Sequence, residues 1–451
     1  MKNVLLFESH YRSRSWFLAL KEISNLYIVS VLKEERKLFL SHGIPEQKIL
    51  NLSNFNSKNI SLKVALKYLK KYEDKYNSSF MNYVLMDRTL RGFDFEYVIK
   101  YLYFIHFSIF NFIKKNSIDV IFIEPTWTHE LIAYDIALEL NVKYFAPVRE
   151  KIKGTSFYFF KSILRDECLT RNRDNKRKSS QLSINSKMIK TPYFDHFLGR
   201  NKLTFKKFLV LFDLLRLKIF DFHNKHIHPP LLSHLLKKII AIFRYYLFLM
   251  IIDFYEIKNL TQKFILLTLH VQPEAGIDVI GYKYSNQLEY IRQIAMNTPA
   301  DHIILVKEHP HDFGRRNYSF YQQLKLIPNV MIINPLLKTA DIYSLKNIAL
   351  VVSVAGTSSL EAALLGIPAV TSAKMYYHSL MVVDTFNPYI TTIGEILKIA
   401  QKNKKKNLSS YSRILKNSFD GVCVDFMTDK NALDPLNIER LRIAFKEAIN
   451  S

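Results

Sequence analysis

Short apolar runs alternate with longer amphipathic stretches over the first 150 residues. The runs at 4–7, 26–31 and 120–123 have the length and composition of buried strands. The stretches at 61–72 and 95–114 have the spacing of helices. Strand and helix patterns that alternate in this way predict βαβ units, and therefore a parallel sheet.

The same alternation returns in a more regular form from residue 264. Strands are predicted at 264–271, 302–307, 330–333, 349–354 and 369–372, and helices at 286–296, 318–325, 340–345 and 359–365. The intervening stretch at 203–262 has a helical pattern rich in Leu, Ile, Phe and Lys, and the chain beyond residue 400 is mainly helical.

These patterns predict an α/β fold with two Rossmann-like domains that face a cleft, and a helical insertion between them. The N-terminal Rossmann-like domain is expected at 1–200 and the helical connecting region at 201–262. The C-terminal Rossmann-like domain is expected at 263–400 and a helical tail at 401–451. A length of 451 residues, of which 49% are hydrophobic, is sufficient for two packed cores.

The formal charge of +24 calls for an anionic partner or a solvated surface. The sequence has no zinc-finger spacing, no basic region joined to heptads and no RRM-like aromatic signature, which argues against nucleic acid. Two interpretations stay open: the lysines are solvated in a Lys-, Asn- and Ile-rich chain, or they face an anionic membrane surface. The apolar stretch at 239–255 is shorter than the roughly 20 residues that span a bilayer, so a buried or interfacial helix is expected there.

The two cysteines, Cys168 and Cys423, are far apart and cannot form a disulfide framework. This usage is typical of a reducing compartment. The apolar run at the N-terminus is too short for a signal peptide and predicts a strand instead. We therefore expect a cytoplasmic protein that can lie peripherally on the inner membrane.

The strongest candidate site follows the strand at 349–354, where a small-residue turn opens a helix. The first amide groups of a helix lack internal partners, and the helix dipole favours an anion there. Gly356 allows the backbone to approach a phosphate closely, and Thr357 and Ser358 follow it. Ser358 and Glu361 also match an S-x-x-E capping box, so Glu361 is either a structural cap or a hydrogen-bond partner for a ribose hydroxyl.

Two further groups come at or just beyond strand ends. Lys307 and His309 follow the strand at 302–307, where a cation beside a nucleotide would stabilise a leaving phosphate. Gln272 and Glu274 follow the strand at 264–271, and Glu274 is placed to orient a sugar or ribose hydroxyl. Because ligands bind beyond the carboxyl ends of parallel strands, these groups are expected at one edge.

Three residues near these groups have a plainer interpretation. His270 has the position of a hydrogen-bonded core histidine. Arg315 and Arg316 are expected as surface charges, with contact to an anion as the alternative.

The N-terminal half offers Glu124, His129 and Glu130 at a strand-to-helix turn. A carboxylate there is suited to act as a general base or nucleophile, whereas Glu130 is equally suited to be a first-turn helix charge. Asp87 and Arg88 are a weaker candidate of the same kind. The sequence has no P-loop, no G-x-S-x-G elbow and no H-E-x-x-H pair, and we infer no metal.

Three segments occur in order, each after a predicted strand: Gln272-Pro-Glu274, Lys307-Glu-His-Pro310 and Gly356-Thr-Ser-Ser-Leu-Glu361. Together they resemble the capsule polysaccharide biosynthesis proteins that include the bacterial β-Kdo transferases. The resemblance covers about residues 264–378. Residues 124–130 are similar to the strand-turn-helix of that family's N-terminal half.

The resemblance implies a GT-B architecture, a CMP-β-Kdo donor as substrate, no cofactor, no metal, and transfer with retention. It implies a nucleotide pocket lined by Gln272, Glu274, Lys307, His309, Gly356, Thr357, Ser358 and Glu361, with Glu124, Glu130 and His129 as catalytic candidates. The expected function is a glycosyltransferase of bacterial surface polysaccharide, acting on a glycan or glycolipid acceptor. A non-hydrolysing sugar-nucleotide epimerase and a non-catalytic assembly scaffold are the alternatives.

Overall fold

The protein is described by a computed structural model that covers residues 1–8, 13–152, 154–171, 231–257, 260–402, 408–426 and 428–451. The described residues divide into two compact units. Unit 1 contains those of 1–171 and 417–451, and unit 2 contains those of 232–416.

Within these residues the strands, in chain order, are β1 Asn3–Glu8, β2 Asn25–Ser30, β3 Ile49–Asn51, β4 Val120–Phe122, β5 Lys143–Arg149, β6 Ser156–Phe160, β7 Lys263–Thr268, β8 His302–Lys307, β9 Val330–Ile333, β10 Ile348–Ser353, β11 Ala369–Thr371 and β12 Phe419–Asp420. The α-helices are α1 Arg14–Leu20, α2 Lys33–Ser41, α3 Leu62–Tyr76, α4 Met81–Met86, α5 Phe95–Lys115, α6 Thr128–Glu139, α7 Leu231–Ile251, α8 Gln287–Met296, α9 Tyr318–Lys325, α10 Thr339–Tyr343, α11 Thr357–Leu364, α12 Ile393–Lys402, α13 Leu408–Leu415 and α14 Pro435–Asn450.

Unit 1 is built on a sheet with the strand order β12-β6-β5-β4-β1-β2-β3. Strands β1 to β5 are parallel, whereas β6 and β12 are antiparallel additions at one edge. The parallel part therefore has the order 3-2-1-4-5, which is the order of a Rossmann fold. The strands are apolar on both faces because helices cover both sides of such a sheet.

Both ends of the chain build unit 1. Strand β12 pairs with β6, and α14 packs against α1. Phe445 of α14 contacts Trp16, Phe122 and Phe159 in the core, with ring centroids 4.7–6.2 Å apart. The last 35 residues are thus part of the same core as the first strand.

Unit 2 contains a fully parallel five-stranded sheet with the order β11-β10-β7-β8-β9. In chain order this is again 3-2-1-4-5, so each unit has Rossmann topology. The α/β fold class with two Rossmann-like domains is therefore confirmed. All five strands predicted between 264 and 372 are present; two have the predicted ends, and in the other three the ends shift by at most three residues.

The structure corrects two of the predicted boundaries. The segment at 401–451 is not a separate tail: α12 and α13 belong to unit 2, whereas 417–451 belong to unit 1. The described part of the connecting region, α7, belongs to unit 2 because Tyr245, Phe248 and Ile252 lie in its core. Residues 201–230 and the basic stretch at 172–180 lie outside the described residues.

No helix among the described residues combines the length and the apolar character that crossing a bilayer requires.

Candidate functional site

The carboxyl ends of β7 and β10 lie side by side at the centre of the unit 2 sheet. The chain leaves β7 toward β8 on one side and leaves β10 toward β11 on the other. In open α/β sheets, ligands bind in the crevice at such a topological switch point. Two hydrogen bonds cross it: the amide of Ala355 donates to His270 Nε2 at 3.1 Å, and the hydroxyls of Thr268 and Ser358 lie 2.6 Å apart.

A tight turn leads from β10 into α11 at this point. Gly356 is the N-cap residue in an extended conformation, and no side chain caps the helix. The amide of Gly356 donates to Ser353 Oγ at 3.1 Å, and Tyr377 donates its hydroxyl hydrogen to the Gly356 carbonyl at 2.8 Å. A Cβ at position 356 would lie 3.0 Å from Ser353 Cβ and 3.2 Å from Ser358 Oγ, so the turn requires glycine.

The predicted capping box of Ser358 and Glu361 is wrong. Helix α11 begins at Thr357, one residue before Ser358, so Ser358 lies inside the first turn. Its hydroxyl hydrogen-bonds to Thr268 instead of to the helix backbone. The first-turn amides therefore have no side-chain cap and retain the partial positive charge that suits an anion.

Lys307 and Glu361 are two buried ionisable side chains near this turn whose charges attract each other. Each residue is only 5% exposed. Burial lowers the pKa of Lys307 to about 8, against the attraction of Glu308 and Glu361, and its Nζ donates to the Pro335 carbonyl at 2.9 Å. Burial raises the pKa of Glu361 to about 7, although a hydrogen bond from Thr357 and the charge of Lys307 oppose the rise. Two side chains whose pKa values are moved toward neutrality at one strand edge indicate a functional site.

Two neutral histidines lie beside the pair. Burial lowers the pKa of His309 to about 4, assisted by the charges of Lys307, Arg315 and Arg316. Its Nδ1 accepts the amide hydrogen of His311 at 3.2 Å, which places the ring proton on Nε2 as a hydrogen-bond donor. Burial likewise lowers the pKa of His270 to about 4, and its Nε2 accepts from Ala355. His270 is the hydrogen-bonded core histidine that the sequence predicts.

Arg316 is not the surface charge that the sequence predicts. Its side chain is only 12% exposed and donates to Glu308 Oε2 at 2.6 Å and to the His270 carbonyl at 2.8 Å. It also lies 3.3 Å from Asp312 Oδ2. Burial and the charge of Glu308 raise the pKa of Asp312 to about 7. Arg316 therefore joins the loops that follow β7 and β8.

Gln272 and Glu274 lie in the loop that follows β7, and their environments differ. The Gln272 amide nitrogen donates to Asp278 Oδ1 at 2.8 Å and to the Ser285 carbonyl at 3.2 Å. Its oxygen accepts from Gln287 at 3.2 Å, so the side chain is used to hold its own loop. The Glu274 side chain is exposed. Six of the eight pocket residues implied by the resemblance thus gather at the switch point: Lys307, His309, Gly356, Thr357, Ser358 and Glu361.

In unit 1, the Glu130 side chain caps the start of α6. Its Oε2 accepts the amide hydrogens of Thr126 and Trp127 and the Thr126 hydroxyl hydrogen, at 2.8–2.9 Å. The residue is 2% exposed, and His129 beside it is also buried and stacks on Phe7. These contacts favour the capping alternative for Glu130.

Asp87 has a similar structural role. Its Oδ2 accepts the amide and hydroxyl hydrogens of Thr128 at 2.8 Å. Its Oδ1 accepts the amide hydrogens of Thr89 and Leu90, also at 2.8 Å. Asp87 thus ties the segment after α4 to the start of α6.

Glu124 differs from both of these carboxylates. It is partly exposed, and within the described part of the chain no group donates a hydrogen bond to its side chain. It lies near Cys423, whose pKa is raised first by burial and then by the Glu124 charge. Glu124 is thus the carboxylate of this turn that is not used to cap a helix.

No protein-family model matches the sequence, and no curated protein matches it at a significant level. Solved structures do match. They include S. aureus MnaA with UDP, at 12% identity and a TM-score of 0.26, with 100% of this chain and 97% of that chain covered. Methanocaldococcus jannaschii UDP-GlcNAc 2-epimerase with UDP-GlcNAc and UDP matches at 14% identity and a TM-score of 0.26, over 92% of this chain and 99% of that chain.

A third match is Thermosulfurimonas dismutans KpsC, a β-Kdo 2,4 transferase. The identity is 14% and the TM-score 0.32, with 66% of this chain and 87% of that chain covered. This transferase is of the kind that the three sequence segments resemble, and the epimerase is of the kind considered as the alternative. At these TM-scores neither likeness bears on function, which is argued below from the residues of the site.

Proposed function

We propose that the protein is a glycosyltransferase of bacterial surface polysaccharide synthesis that binds the nucleotide of its sugar donor at the carboxyl ends of β7 and β10. The observation that carries this proposal is the gathering of uncapped amides, a buried lysine and a neutral histidine at one topological switch point. Such a set matches the phosphate of a nucleotide.

The donor phosphate is assigned to the first turn of α11. The amides of Thr357 and Ser358 begin this helix, and Gly356, which precedes them, has no side chain that caps them. When the bond between the sugar and the phosphate breaks, negative charge develops on the leaving nucleotide. Lys307, as a cation, and the Nε2 hydrogen of His309 stabilise that charge.

Glu361 is assigned to a ribose hydroxyl. It is the carboxylate nearest to Thr357 in this site, and its pKa of about 7 lets it accept or donate a hydrogen bond near neutral pH. Lys307 attracts Glu361, because both side chains are buried in the same environment. This attraction couples the ribose contact of Glu361 to the phosphate contact of Lys307.

On unit 1 we assign the carboxylate of the transfer step to Glu124. Glu130 is 2% exposed and its Oε2 caps α6, whereas Glu124 is partly exposed and has no such contact among the described residues. A carboxylate in this role takes the proton of the acceptor hydroxyl or attacks the sugar carbon. Kdo from CMP-Kdo as the donated sugar, a glycan or glycolipid acceptor, and retention all rest on the resemblance of the sequence segments.

The test is calorimetric binding of CMP, UDP, GDP and ADP to the wild type, His309→Ala and His42→Ala. His42 is a matched control because it is partly buried and hydrogen-bonded in unit 1. Selective CMP binding that is lost only in His309→Ala supports the site, and transfer from CMP-Kdo is then the next assay. A preference for UDP or GDP overturns the Kdo assignment.

Two other outcomes point to the alternatives. Epimerisation or hydrolysis of UDP-GlcNAc without an acceptor would replace the transferase by an epimerase. Absence of binding to all four nucleotides would leave the scaffold as the better interpretation.

The catalytic carboxylate is tested by comparing Glu124→Gln with Glu130→Gln. We expect Glu124→Gln to abolish transfer while nucleotide affinity and stability stay close to wild type. Glu130→Gln should destabilise unit 1, because an amide cannot accept all the capping hydrogen bonds equally well. Full transfer activity in Glu124→Gln would remove Glu124 from the mechanism.

A further inference from the structure

Helix α7 has an apolar side that unit 2 does not bury. Tyr245, Phe248 and Ile252 anchor the helix in the core, where Tyr245 contacts Phe313 and Phe248 contacts Tyr321. The opposite side carries seven large hydrophobic side chains with exposed fractions between 43% and 77%: Leu236, Ile239, Ile240, Phe243, Tyr246, Met250 and Ile251. We refer to these seven as the α7 apolar face.

The seven side chains form one continuous stripe. At about 100° per residue they fall within an arc of about 140°, and Leu247, which is partly buried, lies inside the same arc. The other exposed large hydrophobics of the described chain are mostly dispersed over many elements. An open groove of about 680 Å³ runs between this face and the turn at Asn317 and Tyr318. Contiguous exposed patches of this kind mark interaction sites.

The charge on α7 is of one sign. Lys237, Lys238 and Arg244 lie on α7, and the helix contains no acidic residue from Leu231 to Ile251. Lys237 and Arg244 are at the border of the stripe by the same helical spacing. A second copy of the chain is a poor occupant, because pairing two such faces would bring these cations together without an opposing acid. An anionic partner is complementary to them, as it is to the chain's formal charge of +24.

The geometry points to a bilayer surface. Residues 236–251 form about 24 Å of helix, and α7 does not meet the requirements for a helix that crosses a bilayer. We propose that the α7 apolar face binds the surface of an anionic lipid bilayer, with the helix axis in the membrane plane. The apolar side chains enter the acyl region, and Lys237 and Arg244 lie at the level of the lipid phosphates. No residue of the nucleotide site takes part, so this inference is independent of the proposed function.

The test is flotation of the full chain with vesicles of equal parts phosphatidylcholine and phosphatidylglycerol. One variant combines Ile239→Ser, Phe243→Ser and Met250→Ser. The matched control combines Met296→Ser, Leu326→Ser and Ile390→Ser, which are 67%, 80% and 80% exposed elsewhere on unit 2. We expect the α7 variant to lose at least about tenfold in partition coefficient, because the inserted apolar area is lost. The control should bind like the wild type.

Neutral phosphatidylcholine vesicles and high salt test the contribution of charge. Binding should be weaker in both, because lipid charge and its attraction for Lys237 and Arg244 are removed or screened. Equal flotation of wild type and α7 variant, equal loss in the control, or wild-type binding that ignores lipid charge would each overturn the proposal. So would a dimer in sedimentation velocity that only the α7 variant dissociates. Nucleotide affinity and circular dichroism of the α7 variant should match wild type, which distinguishes lost membrane binding from misfolding.

Discussion

Arg316→Met removes the cation that two buried carboxylates share. Glu308 and Asp312 are each 1% exposed, and the guanidinium lies 2.6 Å and 3.3 Å from their oxygens. Methionine keeps much of the aliphatic volume but removes the guanidinium that lies against both carboxylates in a desolvated position. Breaking a buried pair by removing one partner costs about 3–5 kcal/mol, and we expect unit 2 to lose stability in that range.

The loss should depend on pH. The pKa of Asp312 is already raised to about 7 by burial and by Glu308, and removing Arg316 raises it further. An acid whose pKa is higher in the folded than in the unfolded state loses stability as pH rises between the two values. At low pH Asp312 is protonated, so the missing guanidinium costs less. The unfolding free energy that the variant loses relative to the wild type should therefore be larger at about pH 8 than at about pH 6.

The assay is urea unfolding followed by two signals. Both tryptophans, Trp16 and Trp127, lie in unit 1, so their fluorescence follows unit 1 while far-UV circular dichroism follows both units. We expect Arg316→Met to lower the midpoint of a dichroism transition and to leave the fluorescence transition near wild type. Arg292→Met is the matched control, because Arg292 is 60% exposed and lies 3.9 Å from Glu289. Dichroism curves of the two variants that superimpose would refute the role assigned to Arg316.

Three more predictions follow from single contacts. Gly356→Ala should weaken nucleotide binding in calorimetry and cost about 1–3 kcal/mol from overpacking, whereas Gly92→Ala, with no atom within 4 Å of its new Cβ, should change neither. Burial raises the pKa of Glu361 from 4.5 to about 7, so the wild type loses stability as pH rises through this window, whereas Glu361→Gln has no such acid to ionise. The unfolding free energy of Glu361→Gln, measured by urea unfolding, should therefore rise relative to the wild type between about pH 5 and 8, and parallel pH profiles would contradict this. His106→Leu should lower the unfolding free energy of unit 1, obtained from the fluorescence transition, by about 2–3 kcal/mol, since the buried ring is hydrogen-bonded to two tyrosine hydroxyls at 2.9 Å and 3.0 Å. An unchanged transition would contradict it.

The parallel strands were the most predictable part of the fold. Apart from the short edge strand β3, they are buried on both faces, so each one is a short apolar run that can be recognised without its neighbours. Strand β12 offers no such signal, because Phe419–Asp420 is defined by pairing with Ser156–Phe160, more than 250 residues earlier. The discontinuous makeup of unit 1 was missed for the same reason.

The position of the candidate site at the strand ends was predictable, whereas its contacts were only partly so, and its role as a nucleotide site stays a prediction. Lys307, His309 and Gly356 follow strand ends, and parallel topology brings the carboxyl ends of strands to one edge. The hydrogen bond between Ser358 and Thr268 depends on where α11 begins. That start follows from the close packing of Gly356 against Ser353, which the sequence does not reveal. The spacing of Asp312 and Arg316, four residues apart, was an available signal for a salt bridge, but burial decides whether such a pair is structural.

The chain order of unit 1 has a consequence for synthesis. Ribosomes make the first 171 residues early, yet β12 and α14, which complete the same core, are made last. The described residues of unit 2 are contiguous from 232 to 416, so its sheet is fully translated while unit 1 still lacks Phe445 and its neighbours. During synthesis unit 1 thus exposes unfinished apolar surface until residues 417–451 have been made, whereas unit 2 does not wait for them. A product terminated before α14 should be a chaperone and protease substrate although every residue of the proposed nucleotide site on unit 2 is present.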